Sequence, residues 1–274
     1  MIRYGGKVMM TDLLGTVCNN LGDFIIGAKY TSADLAYYTK GKQLPTLIKS
    51  NIYTSLISVL FPGMSKINDE GEKVKALSRK SIRVLTYIIY PLMTGLLVVA
   101  EPLTIFLYTE KWIAMVPFVW VVCIEAIFSV PGTITLQSVK AMGYSDKMLK
   151  AEIFKKPILI LSIIIAMQYG VMAIALTLPL NTLLEFVING VMAHKTVDYS
   201  IREQLWDCLP ATIMSVLMGA GVLLVAHLPL GLGTIALLFV EILVGIVIYV
   251  LLSVITRNEE FMALASMAKQ YLKR

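Results

Sequence analysis

Two consecutive stretches put charged and amide side chains where a membrane helix has no ordinary use for them. Asp12, Thr16, Asn19, Asn20 and Asp23 recur at spacings of four, three, one and three along an otherwise apolar segment, Gly6 to Tyr30. At 3.6 residues per turn they share one helical face. The next segment carries Tyr38, Lys42, Lys49 and Tyr53 on roughly one face, with Tyr37, Lys40 and Gln43 nearby. Carboxylates can bind a cation, ammonium groups can hold anions as point charges, and phenols and amides can donate and accept hydrogen bonds. Ionisable groups inside a membrane segment face protein or a water-filled cavity. The pattern therefore predicts a membrane-embedded cavity with acids and amides on one wall and cations and phenols on the other. The competing use of such groups is to hydrogen-bond neighbouring helices and hold the bundle together.

Further stripes could join the same cavity: Glu125 with Ser129 and Thr133, and Asn181, Glu185 and Asn189 at four-residue steps. Asp12, Asp23, Glu125 and Glu185 are the candidates for ion coupling. Antiparallel packing about a turn near Thr31–Ser32 would bring Asp23 to Lys40 as an ion pair. Glu101 reads as a solvated interfacial residue beside Pro102, whereas Glu241 stands alone in an apolar helix.

The elements that position these residues follow from composition. The chain is 57% hydrophobic and 15% charged, with a mean hydropathy of +0.76, against about 45–50% apolar and about 25% charged in a soluble domain. Long apolar runs recur and short β-barrel alternation is absent, so helices are the spanning element. The fold class expected is an all-α integral membrane protein with about eight spans. They run Lys7–Lys29, Asp34–Met64, Arg83–Tyr108, Trp112–Gln137, Pro157–Tyr169, Val171–His194, Cys208–Leu228 and Leu232–Ile255. Ser32 or Asp34 can cap the second, Pro45 lies inside it, and Gln168-Tyr169-Gly170 makes a tight hairpin between the fifth and sixth. The basic stretch Lys73 to Arg83 predicts an interfacial helix, as does the amphipathic tail, with Phe261, Leu264, Ala265, Ala268 and Leu272 on one face. With the N-terminus inside, 19 of the 24 Lys and Arg residues fall on the inner side, which predicts both termini in the cytoplasm.

Other chemistries lack a signature. There is no nucleophile elbow, no phosphate-cradling glycine loop and no ligand-spaced His/Cys/Asp cluster, so neither an enzyme nor a cofactor is expected. Cys18, Cys123 and Cys208 read as separate buried thiols. The net charge of +6 sits in loops, where it serves orientation and anionic headgroups rather than nucleic acid.

Several stretches, in order, resemble a known family. They are Asn19-Asn20-Leu21-Gly22-Asp23-Phe24-Ile25-Ile26-Gly27, Ser32-Ala33-Asp34-Leu35-Ala36-Tyr37-Tyr38, Gln43-Leu44-Pro45 and Val59-Leu60-Phe61-Pro62. Pro91 to Leu96, Ala100-Glu101-Pro102, Thr109-Glu110-Lys111-Trp112, Val116-Pro117-Phe118, Leu136-Gln137 and Lys140 to Asp146 follow. Over roughly residues 1 to 160 the chain resembles polysaccharide flippases of the teichuronic-acid and colanic-acid exporter type. Those belong to the multidrug/oligosaccharidyl-lipid/polysaccharide exporter superfamily.

The resemblance implies a transporter turning an undecaprenyl-pyrophosphate-linked repeat unit between leaflets, with two six-helix lobes facing each other across a central cavity. It implies that residues 1–200 are the second lobe and 201–274 two additional C-terminal helices, the other wall coming from the rest of a longer gene product or from a second copy. Lys40, Lys42 and Lys49 would then take the phosphates, and Asn19, Asn20, Tyr37, Tyr38, Gln43 and Tyr53 the sugar hydroxyls. Asp12 or Asp23 would exchange H+ or Na+. Other polysaccharide-assembly membrane proteins are possible partners. The alternatives are a cation-coupled drug exporter of the same superfamily, which the lysines oppose, and a non-transporting remnant or scaffold in envelope assembly.

Overall fold

The computed structural model describes residue 16 and residues 20–229, 233–263 and 266, with backbone only at Ser145. A helical stretch over 20–29 (α1) leads into α2 (Ser32–Lys66), α3 (Gly71–Val98) and α4 (Ala100–Tyr108). A 3-10 turn, Glu110–Met115, opens α5 (Val116–Ala141), followed by α6 (Ser145–Ala166), α7 (Val171–Val197), α8 (Ile201–Ala226) and α9 (Thr234–Ile255). The described residues contain no strand. Six helical stretches among them are long and apolar enough to cross a membrane: α2, α3, Glu110–Ala141, α7, α8 and α9. The first expected span lies largely outside the described residues, as do Asp12, Asn19, Cys18 and most of the amphipathic tail.

Local chemistry explains the boundaries. Thr31 caps α2 by accepting from the backbone N–H of Asp34, whose carboxylate returns a bond to Thr31, a reciprocal capping box. The cap is therefore Thr31 rather than Ser32 or Asp34. Pro102 lacks the N–H that would bond the carbonyl of Val98, so the expected third span ends there and α4 starts a new direction.

Two other expectations are corrected. The basic stretch Lys73 to Arg83 is no separate interfacial helix but the first turns of α3. Likewise the fifth expected span is the C-terminal half of α6, whose N-terminal half carries the basic stretch from Lys147. The turn between α5 and α6 closes at Gly143, with φ of 81°.

At the centre is α5, which packs against α2, α3 and α7, while α8 lies on α3 and carries α9 on its far side. Close approach needs small residues: a Cβ on Gly132 of α5 would sit 3.2 Å from the Phe186 Cα of α7. Met64, Ile82, Ile89, Met93, Cys123, Val130 and Ile134 fill the main core. Leu161, Leu180, Val216, Leu224, Leu243 and Ile246 point outward, each more than half exposed. In water such a surface would be unfavourable; against lipid tails it is the matching solvent.

Candidate functional site: a charged cavity between α2, α5 and α7

A cavity of about 910 Å³ opens between α2, α5 and α7, with Gly22 of α1 and Leu159 and Ile163 of α6 at its margin. Helix α2 supplies most of its polarity. Tyr38, Lys42, Thr46 and Lys49 follow one another at three- and four-residue steps and so share a face, with Lys40, Gln43, Ser50 and Asn51 beside them. Glu125 of α5 and Asn181, Thr182 and Glu185 of α7 form the opposite wall.

The charges cross the cavity in pairs. Lys42 Nζ lies 2.6 Å from Asp23 Oδ1 and 4.3 Å from the centroid of the Tyr38 ring, which holds the ammonium by cation–π attraction as well. Tyr38 is 2% exposed, and its hydroxyl would be 3.3 Å from a Cβ on Gly22. Lys49 Nζ lies 2.6 Å from Glu125 Oε2, while Glu125 Oε1 accepts a bond from Thr182 at 3.3 Å. One carboxylate thus links α2, α5 and α7. Lys40 donates to Gln43 Oε1 at 3.2 Å, and Glu185 faces the cavity without an ion pair among the described residues.

The lysines thus all stand on α2 and the carboxylates on the facing helices α1, α5 and α7, and two of each pair across the gap. The Asp23 partner is Lys42 and not Lys40. Positions two apart on a helix differ by 200°, so only one of these lysines can face α1.

Tyr38, Lys40, Lys42, Gln43, Lys49, Glu125 and Glu185 come together on the lining. Tyr53 lies behind it, its hydroxyl 2.8 Å from Ser129 Oγ. Tyr37 packs edge-on to Trp112 with its hydroxyl 3.4 Å from the Lys111 carbonyl, and Asn20 donates to the Thr16 carbonyl. Thr133 bonds back to the Ser129 carbonyl, and Asn189 is buried on the Gly132 carbonyl. Asn181 lines the cavity and donates to Ser162 Oγ at 3.0 Å. Thr46, Ser50 and Thr182 were missed, though the first two continue the Lys42 face at four-residue steps.

Comparison with known proteins gives this architecture a context. The solved structure of the lipid II flippase MurJ in an inward closed conformation superposes with a TM-score of 0.73 at 17% identity, over 91% of this chain and 52% of that one. This is a flippase fold. Residues 1–117 match the family described as polysaccharide biosynthesis protein. The lipopolysaccharide biosynthesis protein WzxC of Escherichia coli (strain K12) is 24% identical over 193 residues, 70% of this chain and 39% of the relative. An uncharacterized membrane protein in the cps region of Klebsiella pneumoniae is 27% identical over 124 residues, 45% of this chain and 23% of the relative. The chain thus spans well under half the length of these curated relatives. The matches bear out the resemblance to polysaccharide flippases of the multidrug/oligosaccharidyl-lipid/polysaccharide exporter superfamily.

Within this flippase fold a second charged cluster joins α3 to α8, unanticipated from the sequence. Asp207 accepts from Arg79 Nε at 2.8 Å and Nη2 at 3.1 Å, from Arg83 Nε at 2.9 Å and from the Tyr199 hydroxyl at 2.9 Å. Its side chain is 1% exposed, so every lone pair must be met from within the protein. Burial, and then the Asp207 carboxylate, push the Tyr199 phenol well above its ordinary range, so it remains a donor. Lys75 and Glu203 add a pair at 2.9 Å, and Glu203 closes a capping box with Ser200.

Proposed function

We propose that this chain supplies a substrate-facing wall of a flippase that moves lipid-linked polysaccharide repeat units across the bacterial cytoplasmic membrane. The observation that carries the proposal is the cavity of about 910 Å³ lined by Lys40, Lys42 and Lys49 together with hydroxyl and amide groups, inside an otherwise apolar helical bundle. A pyrophosphate-linked oligosaccharide is anionic at one end and hydroxyl-rich beyond it, and both chemistries have matching groups here. An exporter of lipophilic cations would meet an excess of ammonium groups on this lining, Lys40, Lys42 and Lys49 against Glu125 and Glu185.

The pairing suggests how binding couples to reorientation. A pyrophosphate entering the cavity competes with Asp23 for Lys42 and with Glu125 for Lys49. Each lysine keeps a charge-assisted partner, and each displaced carboxylate becomes free to take up a proton or sodium ion. Glu185, already without a cation partner among the described residues, needs no such displacement. Releasing Glu125 also releases the link from α2 through α5 to α7, so loading loosens the wall that must move. In this reading residues 1–200 act as the second lobe and residues 201–274 as two added helices. Both termini lie in the cytoplasm, from the distribution of Lys and Arg.

Leaflet exchange in proteoliposomes tests it, with undecaprenyl-pyrophosphate-linked oligosaccharide as cargo. Lys42→Ala with Lys49→Ala should abolish exchange while membrane insertion stays normal. Undiminished exchange by the double variant would remove both lysines from the substrate path.

A further inference from the structure

The apolar run of α9 ends at Ile255, and the chain turns through Thr256 and Arg257 into helical residues 259–263. A 22-residue helix such as α9 is about 33 Å long, close to the roughly 30 Å of a hydrocarbon core. Residues just beyond it therefore lie at the level of lipid headgroups. Trp206, 60% exposed, lines a cavity at the same level, where tryptophan side chains concentrate.

Here the segment after α9 faces the first turns of α3 across two adjoining cavities of about 510 and 490 Å³, which share Arg83, Glu259 and Glu260. The cleft holds charges of both signs that do not cancel one another. Arg79 and Arg83 engage Asp207 on the inner side yet keep 37% and 41% of their side chains exposed. Lys80, Glu259 and Glu260 make no ion pair among the described residues. A purely anionic ligand would meet the two glutamates, and a purely cationic one Arg79, Lys80, Arg83 and Arg257. A ligand carrying a phosphate and an ammonium a few bonds apart satisfies both sets. Lipid phosphates sit at this depth, and Ile213, half exposed on the wall of the same cleft, offers apolar contact to an acyl chain.

We propose that the cleft between α3 and residues 259–263 binds an aminophospholipid headgroup, its phosphate on Arg79, Lys80 and Arg83 and its ammonium on Glu259 and Glu260. The site is separate from the cavity on α2 and makes the packing of α3 against the end of α9 sensitive to membrane composition.

The test is native mass spectrometry of the full 274-residue chain released from nanodiscs of phosphatidylcholine with equal phosphatidylethanolamine and phosphatidylglycerol. The wild type should retain phosphatidylethanolamine over phosphatidylglycerol by about fivefold, the scale of two partly exposed ion pairs. Glu259→Gln with Glu260→Gln should remove that preference without changing thermal unfolding, because neither glutamate has an ion pair among the described residues. N-acylated phosphatidylethanolamine, which keeps the phosphate and loses the ammonium, should be retained no better than phosphatidylglycerol. Lys80→Ala should weaken retention of both lipids. A wild type that prefers phosphatidylglycerol, or a preference unchanged in the double glutamine variant, would overturn the proposal. Equal retention of the N-acylated lipid would do the same.

Discussion

Lys49 and Glu125 stand 76 positions apart in the chain and meet at 2.6 Å across the cavity. Their side chains are 18% and 14% exposed, so the pair is neither a surface ornament nor sealed in a dry core. Removing one member leaves a charge in a place that water reaches poorly. Lys49→Ala should therefore cost about 2 kcal/mol, less than the roughly 3–5 kcal/mol of a fully buried pair because cavity water compensates part of the loss. Thermal unfolding in detergent would show this as a lowered midpoint. Lys49→Ala with Glu125→Gln should recover much of the loss, since no lone charge remains. Equal destabilisation by the single and double variants would mean that the two residues are not coupled.

The α3–α8 junction should respond to its acid far more than to its phenol. Asp207→Asn leaves Arg79 and Arg83 facing each other without their shared counter-charge and should lower stability by roughly 3 kcal/mol. Tyr199→Phe removes one hydrogen bond and should cost about 1 kcal/mol. Unfolding midpoints of the two variants in the same detergent give the comparison, and a larger effect from Tyr199→Phe would contradict the assignment.

Gly41 is where α2 crosses the start of α5. A Cβ there would stand 2.6 Å from the Phe118 Cβ and 2.9 Å from the Met115 carbonyl oxygen, so Gly41→Ala must push the helices apart. Overpacking of this kind costs roughly 1–3 kcal/mol. Gly63→Ala on the same helix meets only the Leu77 Cδ2, at 3.8 Å, and should be tolerated. Expression level and thermal midpoint of the two variants, measured side by side, should differ in that order.

Glu185 lines the cavity without an ion pair among the described residues, so it can bind a cation without first giving one up. Glu185→Gln should leave cargo binding intact and remove part of the dependence of leaflet exchange on a proton or sodium gradient. Exchange with an unchanged gradient dependence would exclude Glu185 from coupling.

How much of this was readable in the residues depended on the range of the interactions. Helix α2 was legible through its local signals: a cap near Thr31, lysines at helical spacing and Pro45 inside the run. The cavity face of α2 followed from the same 3.6-residue period. The partner of each charge did not, because Lys40 and Lys42 lie at nearly the same distance from Asp23 in sequence and differ chiefly in helical phase. The Asp207 cluster was invisible for a different reason. Arg79 and Arg83 lie 128 and 124 positions from Asp207, and an arginine in a basic stretch reads as an orientation signal until its partner is brought alongside. The true starts of α3 and α6 were also hidden, since hydropathy marks where a helix enters lipid and not where its hydrogen bonding begins.

The most direct test of the account is equilibrium binding of undecaprenyl-pyrophosphate-linked oligosaccharide to the purified chain in nanodiscs, since binding requires the cavity and not a completed transport cycle. Two charge-assisted contacts to the pyrophosphate predict that Lys42→Ala with Lys49→Ala weakens affinity by about 100-fold. Lys111→Ala, a cation away from the cavity lining, should leave it unchanged. Equal affinity of the wild type and the Lys42/Lys49 double variant would contradict the assignment of this cavity to the substrate.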